Sequence, residues 1–272
     1  MKVAVVLFGH LRTYDQTCSA LQKYLVGPYK ADVYIHTWSS LDRTTESYKE
    51  QDEFLSLQTT HLTNIKMAYP DSVVEIEDPL IDVGELDYYK ERSILGLKSM
   101  FHSIGAGIDL VLQSGNNYDL ILVTRPDILL KCEIDLESVR QEIENYPYSN
   151  YMYAGYFISP KKGDTRMLKR WGASDCLFVI PPNILSVVAK IKESTIPFTL
   201  PYNVWGEDQF RYFMHEQNII GRAWNYLGPL NWSIRRRNNE HSAFLNDLML
   251  YMRKIIYSIS DIMKLIMRRS DL

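Results

Sequence analysis

Arginine and aspartate side chains directly follow a strongly apolar run of this sequence. Leu120–Val123, preceded by the turn signal Asn116-Asn117, is a continuous apolar run with β-branched residues, which predicts a buried strand. Arg125 and Asp127 come at its carboxyl end, where ligands bind in open α/β sheets. A guanidinium pairs with phosphate, and a carboxylate can hold a divalent cation, so these residues predict a phosphate site. The alternative is a salt-bridged turn in which Pro126 only ends the strand.

The loop after the first predicted strand, Val3–Phe8, holds further candidates for binding phosphate. Gly9 permits close approach of the backbone to a nucleotide, although a tight turn explains this glycine equally well. His10 is a candidate contact for a base or a phosphate. We expect Arg12 to line the same crevice as Asp127, because the carboxyl ends of parallel strands meet at one edge of a sheet.

A second basic element, Arg235-Arg236-Arg237, lies in the last part of the chain. A charge run of this kind is either a phosphate clamp or an ordinary solvated loop. Arg235 is therefore a candidate ligand of phosphate, with solvation as the alternative. The basic stretch 161–170 has the composition of a loop that could close over a substrate and exclude water.

Length and composition limit the class of protein. The 272 residues, 46% of them hydrophobic, can bury one sizeable core, so a single elaborated domain is expected. A net charge of −3 argues against a nucleic-acid partner, because no basic excess exists to neutralise many phosphates. The 3 cysteines are far apart and lack metal-ligand spacing, which predicts free thiols in a reducing, cytoplasmic compartment.

Hydrophobic periodicity predicts a chain of alternating strands and helices. The predicted strands are Val3–Phe8, Asp32–Trp38, a short strand within Ile65–Glu77, the strand from Tyr118, Tyr151–Ser159 and Cys176–Ile180; the predicted helices are Gln16–Leu25, Glu91–Gln113, Asn183–Ile191 and Glu207–Gln217. The strand–helix–strand alternation of the first half indicates a parallel sheet, and mixed strands are expected after Asp127. His36, within a predicted strand, is expected to be hydrogen-bonded in the core or at the edge of a site.

Three of these segments together resemble bacterial polysaccharide glycosyltransferases, which assemble capsule or lipopolysaccharide O-antigen chains. The segments are Phe8–Thr13, Asp32–Trp38 and Tyr118–Asp127, and Gly206-Glu207-Asp208 extends the resemblance. It implies a GT-A-like α/β fold in one domain, with a Rossmann-like nucleotide-binding half and a mixed central sheet flanked by helices. The reaction implied is transfer of a sugar from a nucleotide-sugar donor.

The resemblance also implies how the chain is divided. Residues 1–244 are expected to form the glycosyltransferase domain, with the nucleotide-sugar-binding half at 1–130 and the acceptor-binding half at 131–244. Residues 245–272 are expected to form a C-terminal amphipathic basic helix.

The sequence departs from the GT-A pattern at the residues that would bind a metal ion. That pattern has two aspartates flanking one residue, which lets Mn²⁺ or Mg²⁺ bridge the protein and the donor pyrophosphate. Here Arg125 replaces the first aspartate and only Asp127 remains as a metal ligand. Arg125 could itself compensate the pyrophosphate charge. A divalent cation and a metal-free arginine site are therefore both open.

The resemblance assigns catalytic roles to Glu207 and Asp208. In GT-A enzymes a carboxylate of this element deprotonates or orients the acceptor hydroxyl, and we expect Asp208 to be the base with Glu207 as its partner. The structural alternative is that both acids stabilise the first turn of a helix through its dipole. Asp175, after Trp171-Gly172, is a further candidate for binding the sugar.

The C-terminal segment is the only candidate for membrane contact, since no long uncharged apolar run is present. Apolar residues from Leu245 to Ile266 follow helical spacing, with lysines and arginines alongside. One interpretation is an interfacial helix on an anionic membrane, bringing the enzyme to a lipid-linked acceptor. The other is a helix packed on the domain or on a second subunit, as in a homodimer.

The sequence thus predicts a cytoplasmic glycosyltransferase, peripheral to the inner face of the cell membrane, acting on a polysaccharide or lipid-linked glycan acceptor. One alternative is a nucleotidyl- or phosphosugar transferase that uses the same phosphate crevice. Another is a non-catalytic sugar-binding subunit of a polysaccharide assembly complex.

Overall fold

The computed structural model describes residues 1–42, 55–56, 59–80, 94–146, 150–154, 176–195, 206–223 and 232–234. All of these belong to one compact unit, Met1–Ile234. The strands are β1 (Val3–Phe8), β2 (Asp32–Trp38), β3 (Ser40–Asp42), β4 (Leu55–Ser56), β5 (Val73–Glu77), β6 (Leu120–Thr124), β7 (Ile128–Leu130), β8 (Tyr151–Ala154), β9 (Leu177–Ile180), β10 (Ile220–Ala223) and β11 (Trp232–Ile234). The helices are α1 (Tyr14–Leu21), α2 (Thr59–Ala68), α3 (Ile94–Gln113), α4 (Leu136–Asn145), α5 (Leu185–Ala189) and α6 (Gly206–Glu216).

Shorter helical segments extend two of these helices. A π-helical segment, Gln22–Val26, and a turn, Gly27–Tyr29, continue α1. Segments of 3-10 helix, Pro182–Ile184 and Lys190–Glu193, flank α5. No helix in the described ranges is long and apolar enough to cross a membrane.

A seven-stranded mixed sheet, in the order β10-β8-β9-β6-β1-β2-β5, forms the centre of the fold. Strands β5, β2, β1 and β6 are parallel neighbours. Strand β9 runs antiparallel to both β6 and β8, and β10 is parallel to β8. Two small antiparallel pairs, β11 with β7 and β3 with β4, lie outside this sheet.

Helices cover both faces of the central sheet, because its inner strands are apolar on both sides. On one face, alternate residues of β1 such as Val5 and Leu7 pack with α1 and α4. On the other face, Val6 and its neighbours pack with α3, α5 and α6. Gly107 brings α3 close to β1, because a Cβ there would approach Val6 Cγ1 to 2.6 Å.

The structure confirms the predicted α/β class, with a Rossmann-like parallel half and a mixed sheet flanked by helices. Strands Val3–Phe8 and Asp32–Trp38 have the predicted bounds. The segment Ile65–Glu77 contains a strand only at its end, Val73–Glu77, because Ile65 belongs to α2. The predicted C-terminal helix, 245–272, lies outside the described residues.

Candidate functional site

The strand order changes direction at one point of the parallel half. From β1 the chain builds outward to β2 and β5, and then returns to the other side of β1 to form β6. Ligands of open α/β sheets bind outside the carboxyl ends of the strands at such a switch point. The two segments that leave the sheet there are the loop 9–13 after β1 and the residues 125–127 after β6.

The first loop begins with a backbone geometry that requires glycine. Gly9 has φ +89°, and a Cβ placed on it would meet nothing within 4 Å, so space is open above its backbone. Its amide donates to the Ser103 hydroxyl at 2.7 Å and to the carbonyl of His36 at 3.1 Å. Arg12, also at a positive φ of 44°, donates its backbone amide to Leu41. The bonds of Gly9 therefore hold the start of this loop against β2 and α3.

Arg12, Arg125 and Asp127, here called the arginine cluster, come together as the sequence predicted. Arg125 holds the carboxylate through two bonds, Nε to Oδ1 at 2.9 Å and Nη2 to Oδ2 at 2.6 Å. Arg12 Nη1 donates to Oδ2 at 3.3 Å. The side chain of Asp127 is 1% exposed, whereas those of Arg12 and Arg125 are 18% and 17% exposed. The carboxylate thus positions two guanidinium groups whose outer parts reach the surface.

The segment that carries Arg125 is anchored on both sides. Thr17 of α1 donates its hydroxyl to the carbonyl of Pro126. Thr124, the last residue of β6, donates to the carbonyl of Cys176 at 3.0 Å. These buried bonds restrict the turn after β6, so the arginine side chain starts from a rigid backbone.

The side chains of the arginine cluster offer a hard divalent cation a single carboxylate. Mg²⁺ and Mn²⁺ prefer several oxygen ligands, whereas the described residues place one carboxylate here, engaged by two guanidinium groups. The charge of these three side chains together is positive, which favours an anion over a cation. The metal role of Asp127 therefore stays a prediction.

Helix α6 begins at the same edge of the sheet. Phe210, fully buried in its second turn, packs on Phe178 of β9 and Phe101 of α3, with ring centroids 5.0 and 6.4 Å apart. Phe178 pairs with Val123 near the carboxyl end of β6. The backbone of the first turn, which carries Glu207 and Asp208, is thereby held on the carboxyl side of the sheet, although their side chains lie outside the described part.

A second polar group lies at the ends of β2 and β5. His36, Glu77 and His102, here called the edge triad, each offer a ligand atom, and these atoms lie within 4.8 Å of one another. Glu77 Oε2 accepts from His102 Nε2 at 2.7 Å, and Glu77 Oε1 lies 3.4 Å from His36 Nε2. The ring centroids of Trp38 and His102 lie 5.6 Å apart with an interplanar angle of 31°, and the ring centroid of His10 lies 6.4 Å from that of Trp38.

The pKa values of both His36 and Glu77 are lowered within the edge triad, for different physical reasons. Burial lowers the pKa of His36, and the nearby Glu77 only partly offsets this effect. Burial acts to raise the pKa of Glu77, but the hydrogen bond and charge of His102, with a smaller electrostatic contribution from the nearby His36, outweigh it and leave this pKa lowered. Glu77 is therefore a carboxylate beside a buried neutral imidazole at neutral pH.

The sequence predicted His36 to be hydrogen-bonded in the core or at the edge of a site, but it did not predict the partners of His36. Glu77, His102 and Ser103 form no motif, because they come from different strands and a helix separated along the chain. One signal was present: Glu77 ends a strand neighbouring the strand of His36, and such ends share an edge. His10, predicted as a ligand contact, donates through Nδ1 to the carbonyl of Ser40 at 3.0 Å. Asp175 and Arg235 lie outside the described residues.

Comparisons with known proteins do not assign this chain to a family. No model of a known protein family matches the sequence, and no curated protein does. A solved structure, described as a glycosyltransferase involved in the glycosylation of the major capsid of PBCV-1, matches with a TM-score of 0.40 and 11% identity. The match covers 82% of this chain and 81% of that chain. At this level of similarity, nothing about the activity of this chain follows from it.

Proposed function

We propose that this chain is a glycosyltransferase that uses a nucleotide-sugar donor. The observation that carries the proposal is the arginine cluster beside the open space above Gly9, at the switch point of the sheet. A nucleoside diphosphate combines negative charge with an elongated shape that needs close approach to backbone. Guanidinium groups bind such phosphates by paired hydrogen bonds, and glycine permits the approach.

The arginine cluster suits the charge that develops when the donor reacts. The bond between the anomeric carbon and the phosphate oxygen breaks, and the nucleoside phosphate leaves with the electron pair. Positive groups held in advance toward that oxygen lower the barrier, because they need no reorganisation. In this proposal Arg12 and Arg125 bind the phosphates, and Asp127 keeps both guanidinium planes in position.

The acceptor side of the reaction is assigned to α6. For an inverting transfer, the acceptor hydroxyl attacks the anomeric carbon, forms the new C–O bond and gives its proton to a carboxylate. We assign this base to Asp208, with Glu207 as its partner. The anchoring of α6 by Phe210 supports the assignment, because it holds this turn on the side of the sheet where Arg125 lies.

The proposed acceptor and the proposed membrane association are inferred from the sequence alone. The acceptor is a polysaccharide or lipid-linked glycan of capsule or O-antigen type, with Asp175 at the sugar and Arg235 at the phosphate. The basic amphipathic helix at 245–272 holds the enzyme on the inner, anionic face of the cell membrane.

A thermal-shift panel tests the donor class. The protein is melted with UDP-, GDP-, CMP- and dTDP-linked sugars, each with Mn²⁺ and with EDTA, since a ligand of the native state raises the melting temperature. We expect a shift with one nucleotide that persists in EDTA. A shift lost in EDTA would contradict the metal-free arginine site and favour a metal at Asp127. No shift with any donor would contradict the glycosyltransferase proposal and favour a non-catalytic subunit.

A further inference from the structure

We propose that the edge triad, His36, Glu77 and His102, binds a divalent transition metal ion such as Zn²⁺. This site is separate from the arginine cluster, since it lies at the ends of β2 and β5, whereas the cluster lies after β1 and β6. The proposal therefore does not depend on the proposed function.

The spacing of the ligand atoms fits one small ion. Zinc binds imidazole nitrogen and carboxylate oxygen at about 2.0–2.2 Å, so tetrahedral ligands lie roughly 3.3 Å apart. His36 Nε2 and Glu77 Oε1 are 3.4 Å apart, which matches this separation. His102 Nε2 lies 2.7 Å from Glu77 Oε2, and this hydrogen bond would give way to two metal–ligand bonds.

An unsatisfied nitrogen points into the triad. His36 is fully buried, and its Nε2 has no hydrogen-bond partner in the part of the chain that the structure describes. Such an atom is costly in a folded protein unless a ligand satisfies it. Glu77 approaches this nitrogen only to 3.4 Å, without the geometry of a hydrogen bond.

The other nitrogen of His36 is held in a way that suits metal binding. Nδ1 lies 2.8 Å from the Ser103 hydroxyl oxygen, which also accepts from the amide of Gly9. If Nδ1–H donates to Ser103, the serine hydroxyl can donate to the His36 carbonyl at 3.5 Å. This tautomer leaves a lone pair on Nε2. Metal-binding histidines are oriented by such a bond from their second nitrogen.

Exposure leaves a path for the ion and room for a further ligand. His36 forms the buried wall, while the side chains of His102 and Glu77 are 27% and 36% exposed. Three protein ligands with an open position are typical of zinc sites that also bind water or substrate. Two imidazoles favour Zn²⁺ and its neighbours over Mg²⁺ and Ca²⁺, which prefer oxygen ligands.

Metal binding by the purified chain, without any nucleotide, tests the proposal. The protein is stripped with chelator, dialysed against buffered Zn²⁺ and assayed for bound metal by elemental analysis. We expect one equivalent of zinc per chain. Failure of the wild-type protein to retain zinc above the level of its variants would overturn the site and leave the donor panel unaffected.

Substitutions separate the edge triad from adventitious surface binding. We expect Glu77→Gln and His102→Gln each to lose the bound equivalent. Glu75→Gln is the matched control, because Glu75 has the same charge and lies two residues earlier on β5. His102 is partly exposed, so His102→Gln decides the test if Glu77→Gln fails to fold. Equal zinc content in His102→Gln and Glu75→Gln would contradict the proposal.

A third variant tests the role of the serine. Ser103→Ala removes the hydrogen bond that orients the His36 ring, and loss of such a partner weakens metal binding about 10–100-fold. The zinc dissociation constant, measured by competition with a chromophoric chelator, should rise by this factor. An unchanged constant would show that His36 is not a ligand.

Discussion

The amino and carboxyl edges of the central sheet both carry polar clusters, but the hydrogen bonding of the two clusters differs. At the amino edge, Tyr118 donates to Asp32 at 2.7 Å and lies 2.6 Å from the hydroxyl of Tyr34. Lys2 bonds to Asp119 through its backbone and to Asn116 through its side chain. At the carboxyl edge, by contrast, two guanidinium groups share Asp127, and a buried histidine nitrogen has no hydrogen-bond partner in the described chain.

This difference distinguishes polar groups that stabilise the fold from polar groups that can bind a ligand. Paired groups stabilise the fold and offer little to a ligand, because their hydrogen-bonding capacity is used. An unsatisfied buried nitrogen is costly unless a ligand binds it, and partly exposed guanidinium groups can reach a phosphate. The carboxyl edge is thus where substitutions should change binding and activity, and the amino edge is where they should change stability alone.

The largest effect is expected from Asp208→Asn. Loss of a general base lowers turnover about 10²–10⁴-fold, while donor binding should stay the same because Asp208 is assigned to the acceptor. Glu216→Gln, at the other end of the same helix, is the control. Rates of sugar transfer and donor affinity measured together check this, and near-normal turnover in folded Asp208→Asn would remove α6 from the mechanism.

The next effect is expected from Arg125→Gln. Loss of a charge-assisted hydrogen bond to phosphate costs about 1.5–3 kcal/mol, so donor affinity should fall roughly 10–100-fold. Arg140→Gln is the matched control, because Arg140 bonds to Glu137 and Glu144 on the surface of α4. Calorimetry gives both affinities. Equal donor affinity of Arg125→Gln and Arg140→Gln would mean that Arg125 only stabilises the turn after β6.

Asp127→Asn should lower stability and donor affinity together. It removes a buried carboxylate that accepts from two arginines, and we expect a loss of about 2 kcal/mol in the free energy of unfolding. The arginines also lose their fixed orientation, so donor binding weakens. Urea denaturation combined with donor titration checks both effects. A variant with lower stability but normal donor affinity would restrict Asp127 to the fold.

Tyr118→Phe should give the smallest change and affect stability only. It removes the bonds to Asp32 and Tyr34, worth about 1 kcal/mol, and leaves donor and zinc binding unchanged. Burial, followed by the bonds to Tyr34 and Asp32, raises the pKa of Tyr118 above its ordinary value of 10.0.

The raised pKa of Tyr118 determines how its contribution to stability changes with pH. The protonated phenol is favoured by folding, so its stabilisation is complete below pH 10 and is lost as pH rises toward the folded-state pKa. Unfolding of the wild-type chain and Tyr118→Phe, compared at neutral and alkaline pH, should show a difference that shrinks at high pH. A difference in unfolding free energy that does not change with pH would contradict the stabilising role of the protonated Tyr118 hydroxyl.

Much of the fold could be predicted because its central strands are unambiguous. Val3–Phe8 is a continuous apolar run and Asp32–Trp38 is rich in β-branched and aromatic residues, and these patterns predict both their bounds and their parallel pairing. Helix α2 could not be predicted, since Thr59–Ala68 mixes polar and apolar residues with one buried side chain, Ile65. Its position depends on packing, which a local pattern does not encode.

The candidate site likewise contains residues that the sequence could predict and residues that it could not. Arg12, Arg125 and Asp127 follow strands that the sequence identifies, so the switch-point rule brings them together in advance. The ion pair of Arg125 with Asp127 matches the salt-bridged turn that the sequence offered as an alternative, whereas the further bond from Arg12 depends on how the turn held by Thr17 at Pro126 packs. The edge triad was missed, because His102 reaches Glu77 only through the docking of α3 on β2.

Calorimetric titration of the best donor of the thermal-shift panel tests the central claim most directly. The titrated proteins are the wild-type chain, the double variant Arg12→Gln with Arg125→Gln, and the control Arg140→Gln. We expect one donor per chain in the wild type and the control, and affinity at least about 100-fold lower in the double variant. Equal affinity in all three proteins would show that the arginine cluster is not the phosphate site.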